Sequence, residues 1–344
     1  MSAMTLPASG RGGDDERRIG RTGVVLRDPL PWHDLVEVVE AAEDTGHEAV
    51  FVPEIAGREA FSTLAGFAMT TSRLALGTGV VTVPSRSPAT TAMAAATVHE
   101  ISVGRMILGI GTGDTKAVGR MPDGGVLELT RRYVQVVRRA LSGEAVPPED
   151  LFGVGGFRLA LSTHSDPPPV WLGALGDGMI RLAGEVADGV LLNWCTPERV
   201  TRAARLVRET AERAGRDPAA LTIAVYVRAC LGLEEPVAMK ALREMTGLYA
   251  SFPNYRRQFE MMGLGNEASL AAKAFAGGRL QEIPGSFVRT LTVLGGRAEA
   301  LDRFAAFREA GADLVLCYPV AALETLSSVL GTVLAAAPSP ALER

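Results

Sequence analysis

The sequence predicts a single (β/α)8 barrel of the α/β class, a TIM barrel carrying insertions. Three observations carry that expectation. From Ile19 onward, short β-branched runs alternate with longer helical patterns, the signature of βαβ units around a parallel sheet. The 344 residues exceed an ordinary domain but fit one barrel with insertions. Strand-then-glycine junctions are spread along the whole chain, whereas an open nucleotide-binding sheet gathers its G-x-G-x-x-G fingerprint after the first strand. Here that first junction reads Leu26–Arg27–Asp28–Pro29.

The elements follow in order. Arg21–Leu26 is the first strand. Leu35, Val38, Val39 and Ala42 recur at helical spacing until Gly46 stops the helix, and Ala49–Val52 is the second strand. A short helix at Leu64–Met69 leads to the third strand, Leu74–Val83, which is broken by Gly77 and Gly79. Pro88 opens a helix in which Met93, Ala96, Glu100 and Val103 share a face, and Met106–Ile110 is the fourth strand. A helix spans Leu129–Leu141. Paired and tripled prolines then mark 143–169 as an insertion, with a small hairpin expected at Phe157–Leu161. Strands five, six and seven are Val170–Leu172, Val190–Leu192 and Leu221–Leu231. Residues 236–290, including a helical piece at Tyr249–Met262, form a second insertion. The helix bearing Leu301, Phe304 and Phe307, the strand Leu314–Tyr318 and a last helix to about Ala336 close the barrel. The expected division is a disordered tail at 1–18 and one barrel domain at 19–344.

Composition narrows the function classes. With 47% hydrophobic and 22% charged residues, the chain can bury a large core. A net charge of -4, from 35 basic and 39 acidic residues, supplies no field for a nucleic acid. Cys195, Cys230 and Cys317 are widely spaced, without a C-x-x-C pair, which argues against both disulfides and a metal site. No apolar run reaches the roughly 20 residues of a membrane span, and the N-terminus lacks a signal-peptide core. The expected setting is the cytoplasm, with a small-molecule substrate and no membrane partner.

Barrel chemistry sits at the carboxyl ends of the strands, which directs attention to four junctions. They are Pro53–Glu54, Gly77–Thr78–Gly79–Val80, Gly111–Thr112–Gly113–Asp114 and Gly173–Ala174–Leu175–Gly176. The last is a small-residue turn leading into a helix with Met179, Leu182, Ala183 and Val186 on one face, suited to an anion at the helix start or to an ordinary βα turn. Asp177 opposes an anion there. Two glycines inside one strand point to a bulge, to close approach of a ring, or to a tight barrel corner. The glycine loop ending in Asp114 lacks the Gly-Lys-Ser/Thr ending of a P-loop. None of His33, His47, His99 and His164 falls at the carboxyl end of a strand, so Tyr226, Arg228 and Asn193 are better pocket residues.

Two segments carry a family resemblance. The run LALGTGVVTVPSRSPATTAMAAATVHEISVGRMILGIGTGD at 74–114 resembles the strand–helix–strand segment of the luciferase-like family. VWLGALGDGMIRLAGEVADGVLLNWCTPERV at 170–200 is similar to the branch related to methylene-tetrahydromethanopterin reductase, which uses the deazaflavin coenzyme F420. The resemblance implies a hydride-transferring oxidoreductase with F420 as cofactor. It implies a cis peptide at Gly79–Val80, in a bulge formed with Gly77 and Thr78 that props the ring. It also implies coenzyme contacts at Gly111, Gly113 and Asn193, and phosphate-binding amides at Ala174, Leu175 and Gly176. Glu54 and Asp114 stand where relatives carry acids, and either would supply a proton. Gly79→Val is expected to crowd the bulge while leaving the barrel folded. Sugar-phosphate dehydrogenases of the family carry a His where this chain has Ile55, and a Trp shortly beyond, so that substrate is disfavoured. The alternatives are an FMN-dependent monooxygenase on the same barrel and a barrel that binds a flavin or deazaflavin without turnover. Family members are often homodimers, and the substrate is set by loops such as 55–61, 115–127 and 236–290.

Overall fold

Eight parallel strands close on one another in the computed structural model, which describes residues 21–27, 30–113, 125–161, 166–322 and 325–338. The expected tail at 1–18, Asp114 and His164 lie outside the described residues. The strands are β1 (Thr22–Val25), β2 (Ala49–Pro53), β3 (Ala75–Thr82), β4 (Met106–Gly111), β5 (Val170–Ala174), β6 (Gly189–Asn193), β7 (Thr222–Leu231), β8 (Thr292–Gly295) and β9 (Leu314–Pro319). Around the ring the order is β1 to β7 and then β9, which returns to β1. The helices α1 (Trp32–Asp44), α2 (Ala60–Thr70), α3 (Pro88–Ile101), α4 (Val126–Leu141), α5 (Asp177–Val186), α6 (Pro197–Arg213), α11 (Arg297–Glu309) and α12 (Thr325–Ala335) follow the barrel strands.

Strand alternation sorts the side chains into two cores. Outward residues such as Val24, Val50, Leu76, Leu108, Val190 and Val225 pack against the helices. Inward residues, among them Val25, Phe51, Ala75, Ile107, Trp171, Leu191, Tyr226 and Leu316, fill the barrel. Being apolar on both faces, the strands read as continuous hydrophobic runs in the sequence. The interior is filled by pairing large with small. Phe51 and Trp171 stack with centroids 5.6 Å apart, and Gly77 and Gly189 yield the space they need. A Cβ on Gly77 would fall 2.3 Å from the Phe51 ring.

The second insertion is four helices, α7 (Glu235–Ser251), α8 (Pro253–Met261), α9 (Gly265–Ala276) and α10 (Gly285–Leu291), followed by β8. Met239, Leu242, Tyr249, Phe259 and Phe287 give them a core of their own, joined to the barrel through Trp194. The short strand β8 was not anticipated. Arg228 and Ala229 pair with both β8 and β9, so β8 continues the edge of β7 where pairing with β6 ends at Tyr226.

Two local expectations need correction. No strand forms at 157–161. Asp150 instead accepts the amides of Phe152 and Val154, and Phe152, Phe157 and Leu161 tuck against the outer core as irregular chain. In α3 the buried side chains include Ala89, Ala92, Ala95, Ala96, Val98 and His99, while Met93, and Val103 beyond the helix end, face solvent. An alanine-rich helix has small residues on most sides, so its pattern marks no single face.

His47 is sealed beneath the barrel. Its Nε2 lies 3.1 Å from the Val333 carbonyl and its Nδ1 3.3 Å from the Thr22 hydroxyl, which fits a neutral ring protonated at Nε2. Burial, aided by the charge of Arg297, holds its pKa down to about 4 against the opposing bond to Val333. Below pH 6.5 the unfolded chain therefore takes up a proton that folded His47 refuses, and stability falls as pH drops toward 4. His47→Gln is expected to remove a loss on the order of 2–3 kcal/mol between pH 7 and pH 4.5. Urea unfolding of both proteins at the two pH values checks it; parallel losses would rule it out.

Candidate active site

The site begins with a register slip in β3. Val52 pairs with Thr78 and Pro53 with Val80, so Gly79 is skipped. On the other edge, Gly77 faces Ile107 and Val81 faces Ile110, leaving three residues of β3 against two of β4. The expected bulge is present; the expected cis peptide is not, because every described peptide bond is trans. The extra residue is enough to break the alternation and turn Val80 inward.

Each neighbour of the bulge is accounted for by packing or hydrogen bonding. The Thr78 hydroxyl donates to the Gly109 carbonyl at 2.8 Å and accepts the Gly109 amide at 2.7 Å, replacing the ladder that the bulge interrupts. The Tyr226 hydroxyl crosses the barrel from β7 and donates to the Gly79 carbonyl at 2.7 Å. A Cβ on Gly111 or on Gly173 would come within 3.0 or 2.8 Å of the Val80 side chain, so both glycines make room for that valine. Gly113 sits at φ 63, where glycine avoids the Cβ clash.

Above Val80 opens a pocket of about 220 Å³ at the carboxyl mouth. It brings together Glu54, Gly79, Val80, Gly111, Gly113, Gly173, Ala174, Leu175 and Asn193 of the expected residues. Gly77 and Thr78 do not line it. They lie one layer deeper, where Gly77 accommodates Phe51 and Thr78 secures the bulge. Gly176 lies outside the lining as well, as N-cap of α5.

Sequence reasoning found Tyr226 and Arg228 but missed most of the far wall, Tyr249, Phe252, Tyr255 and Tyr318. Arg228 follows Ala224 and Tyr226 in the inward parity of β7 and is 2% exposed. Its guanidinium lies 4.3 Å from the Tyr318 ring centroid, 4.5 Å from Trp194 and 5.0 Å from Tyr249. Nη1 donates to the Asn193 side-chain oxygen, and the Asn193 amide nitrogen donates to the Tyr255 hydroxyl at 2.9 Å. Burial pushes the phenols of Tyr226, Tyr255 and Tyr318 upward, so they stay neutral. Burial also pushes the Cys195 thiol up to about 12, which disqualifies it as a nucleophile.

Glu54 is not a free acid. Arg86 grips both its oxygens, through Nε at 3.1 Å and Nη2 at 2.7 Å, and also binds Glu59. Asp177 is likewise committed. Burial pushes its carboxyl up, but the guanidiniums of Arg199 and Arg202 outweigh that and hold it below its usual range. The nearly buried Arg199 also donates to the Leu175 carbonyl at 2.7 Å, so the turn ahead of α5 rests on a guanidinium. A Cβ on Gly176 would meet nothing within 4 Å, and its backbone is ordinary extended chain. Neither packing nor conformation demands glycine there.

The family model described as luciferase-like monooxygenase matches residues 8–314. The chain belongs to the luciferase-like monooxygenase family. Among curated luciferase-like relatives, a 5,10-methylenetetrahydromethanopterin reductase of Methanolobus tindarius is 34% identical over 59% of this chain. The match spans 63% of that relative, less than two thirds of its length. A Mycobacterium tuberculosis protein named as a coenzyme F420-dependent oxidoreductase is 28% identical over 83% of this chain and 90% of its own. The solved coenzyme F420-dependent tetrahydromethanopterin reductase of Methanopyrus kandleri superposes with a TM-score of 0.73, covering 91% of this chain and 97% of that one at 21% identity. The last likeness bears on the fold.

The bulge revises one expectation about substitution. A Cβ on Gly79 would fall 2.5 Å from the Pro53 nitrogen and 2.6 Å from its Cα, a backbone clash, so Gly79→Val is expected to unseat β2 and not merely crowd the pocket. Tyr226→Phe is the gentler probe. Leaving the Gly79 carbonyl without its donor in a dry layer is expected to lower stability by about 1–3 kcal/mol. Urea unfolding measures both; an unchanged midpoint for Tyr226→Phe would deny the cross-barrel bond its role.

Proposed function

We propose that the chain is a coenzyme F420-dependent oxidoreductase that moves a hydride between the deazaflavin C5 and a small organic substrate. The observation that carries this reading is the meeting, in one pocket, of the inward Val80 bulge and the turn ahead of α5. The names of the curated relatives support the same coenzyme. When bound, F420 supplies the hydride chemistry itself, and the protein supplies binding, orientation and a proton.

The residues fit that group. Val80, held by Tyr226 through the bulge and flanked by Gly111 and Gly173, offers an apolar platform for a planar ring. Ala174, Leu175 and Gly176 precede α5, whose first two amides, at Asp177 and Gly178, have no partner inside the helix and attract an anion such as a phosphate. The open space at Gly176 leaves room for one, and Arg199 with Arg202 offsets the charge of Asp177. Gly113 and Asn193 complete the coenzyme side of the pocket, while Gly77 and Thr78 act from below. Asp114, next after Gly113, is the proton donor in this reading. Glu54, tied to Arg86, positions the mouth.

Titrating the purified protein with F420 and, in parallel, with FMN tests the proposal. Saturable binding of F420 followed by hydride exchange at C5 is expected; binding of FMN with oxygen consumption would transfer the assignment to a monooxygenase. Gly176→Asp introduces a negative charge where the fold has space for it, and is expected to weaken F420 at least tenfold, about 1.4 kcal/mol, with stability retained. An unchanged dissociation constant would sink the phosphate assignment. Asp114→Asn is expected to lower turnover by about 10²–10⁴-fold with little change in coenzyme affinity. Equal rates and pH profiles would remove Asp114 from the reaction.

A further inference from the structure

Arg228 is a buried cation. Among the described residues no carboxylate pairs with it, and the phenols around it are held neutral by burial. Isolating a guanidinium from water costs several kcal/mol, which three ring faces offset only in part. The hydrogen bonds are incomplete as well. Asn193 takes Nη1, Nε has no acceptor although it is sealed from water, and no hydrogen bond of Nη2 occurs among the described residues. Nε is closed to the pocket as well as to water, so Nη2 is the donor left for an acid that enters the pocket. Arg228 lines the same pocket as Val80 and Leu175, and Tyr249, Phe252 and Tyr255 wall its side of it.

We propose that Arg228 anchors the carboxylate of the substrate, so that the enzyme acts on small organic acids with an apolar, planar body. The assignment rests on the coenzyme reading for its word substrate, but the anion site itself stands on Arg228 alone. The rings of Tyr249, Phe252 and Tyr255 receive the apolar body, and Nη2 donates to the carboxylate when the acid enters, giving the guanidinium its counter-charge. Asn193, by holding Nη1, leaves Nη2 as the terminus offered to the acid.

Benzoate is the probe and benzamide its neutral counterpart, each titrated calorimetrically into the full chain without coenzyme. Benzoate is expected to bind at least tenfold more tightly than benzamide, and Arg228→Met to weaken it at least tenfold. Removing an unpaired buried charge is expected to leave the melting temperature unchanged or raised. Asn193→Asp provides a second route if Arg228→Met fails to fold: it places a carboxylate against Nη1 and is expected to weaken benzoate at least tenfold. Equal binding of the two probes, no binding of benzoate, or an affinity within threefold in the folded variants would overturn the anion site. F420 is then titrated into benzoate-saturated protein. Undiminished coenzyme binding is expected; competition would mean that Arg228 serves the coenzyme and would overturn the substrate assignment. Binding of benzoate without any binding of F420 would instead overturn the coenzyme reading and leave the anion site standing.

Discussion

The hydrogen bond from Tyr226 to the Gly79 carbonyl spans the barrel between opposed strands, and the rest of the mouth depends on it. A bulge in a closed parallel sheet frees a carbonyl from the ladder, and inside a dry interior that carbonyl must find a donor. Tyr226 provides it without leaving the inward parity of β7. Once the carbonyl is satisfied, Val80 can turn inward and the glycines of β4 and β5 must retreat before it. Large side chains therefore fill the lower barrel, while the upper barrel is left open above one valine.

Opposite that apolar platform the barrel carries a charge. The inward positions toward the carboxyl side of β6, β7 and β9 are Asn193, Arg228 and Tyr318, three polar groups in mutual contact through the guanidinium. Such a cluster is stable only if the insertion covers it. Tyr249 of α7 stacks beside Arg228, and Tyr255 of α8 takes the Asn193 amide. The pocket is thus asymmetric, with a wall from β2 to β5 that is mostly small and apolar apart from Thr112 and the Arg86-paired Glu54, and a polar, aromatic wall from β6 to β9 and the insertion. That asymmetry suits a reaction in which one partner is held by its ring and the other by its charge.

Much of this was legible in the sequence, and the rest was hidden for identifiable reasons. The barrel strands are runs of β-branched residues apolar on both faces, so their existence and order could be read directly. β8 could not, because Thr292–Gly295 follows α10 without a turn and pairs only where β6 stops. The three glycine junctions were found because a missing side chain is conspicuous. What replaces it is not: Gly77 answers to Phe51, and Gly111 and Gly173 to Val80, and none of these pairs is local. Glu54 read as an available acid because Arg86, which grips it, lies 32 positions away on another strand's loop. The aromatic wall was hardest to foresee, since its residues come from helices whose docking is decided by tertiary packing.

The insertion also holds strain in place. Trp194 follows β6 at φ 54, a left-handed conformation that costs a bulky residue about 1–2 kcal/mol. Gln258 of α8, fully buried, donates to the carbonyls of Asn193 and Trp194 at 2.5 and 2.8 Å. Two such bonds, each contributing about 0.5–1.5 kcal/mol net, are of the size needed to hold the turn. The strained conformation has a consequence at the site: it lays the indole over the guanidinium of Arg228 while Asn193 still points into the barrel. Among the described residues the Trp194 Nε1 finds no acceptor in exchange, so packing against Tyr249 and Phe259 must outweigh that loss too. α8 therefore does more than cover the mouth. Through Gln258 it fixes the turn after β6, and through that turn it fixes both the face and the edge of the guanidinium that the pocket presents.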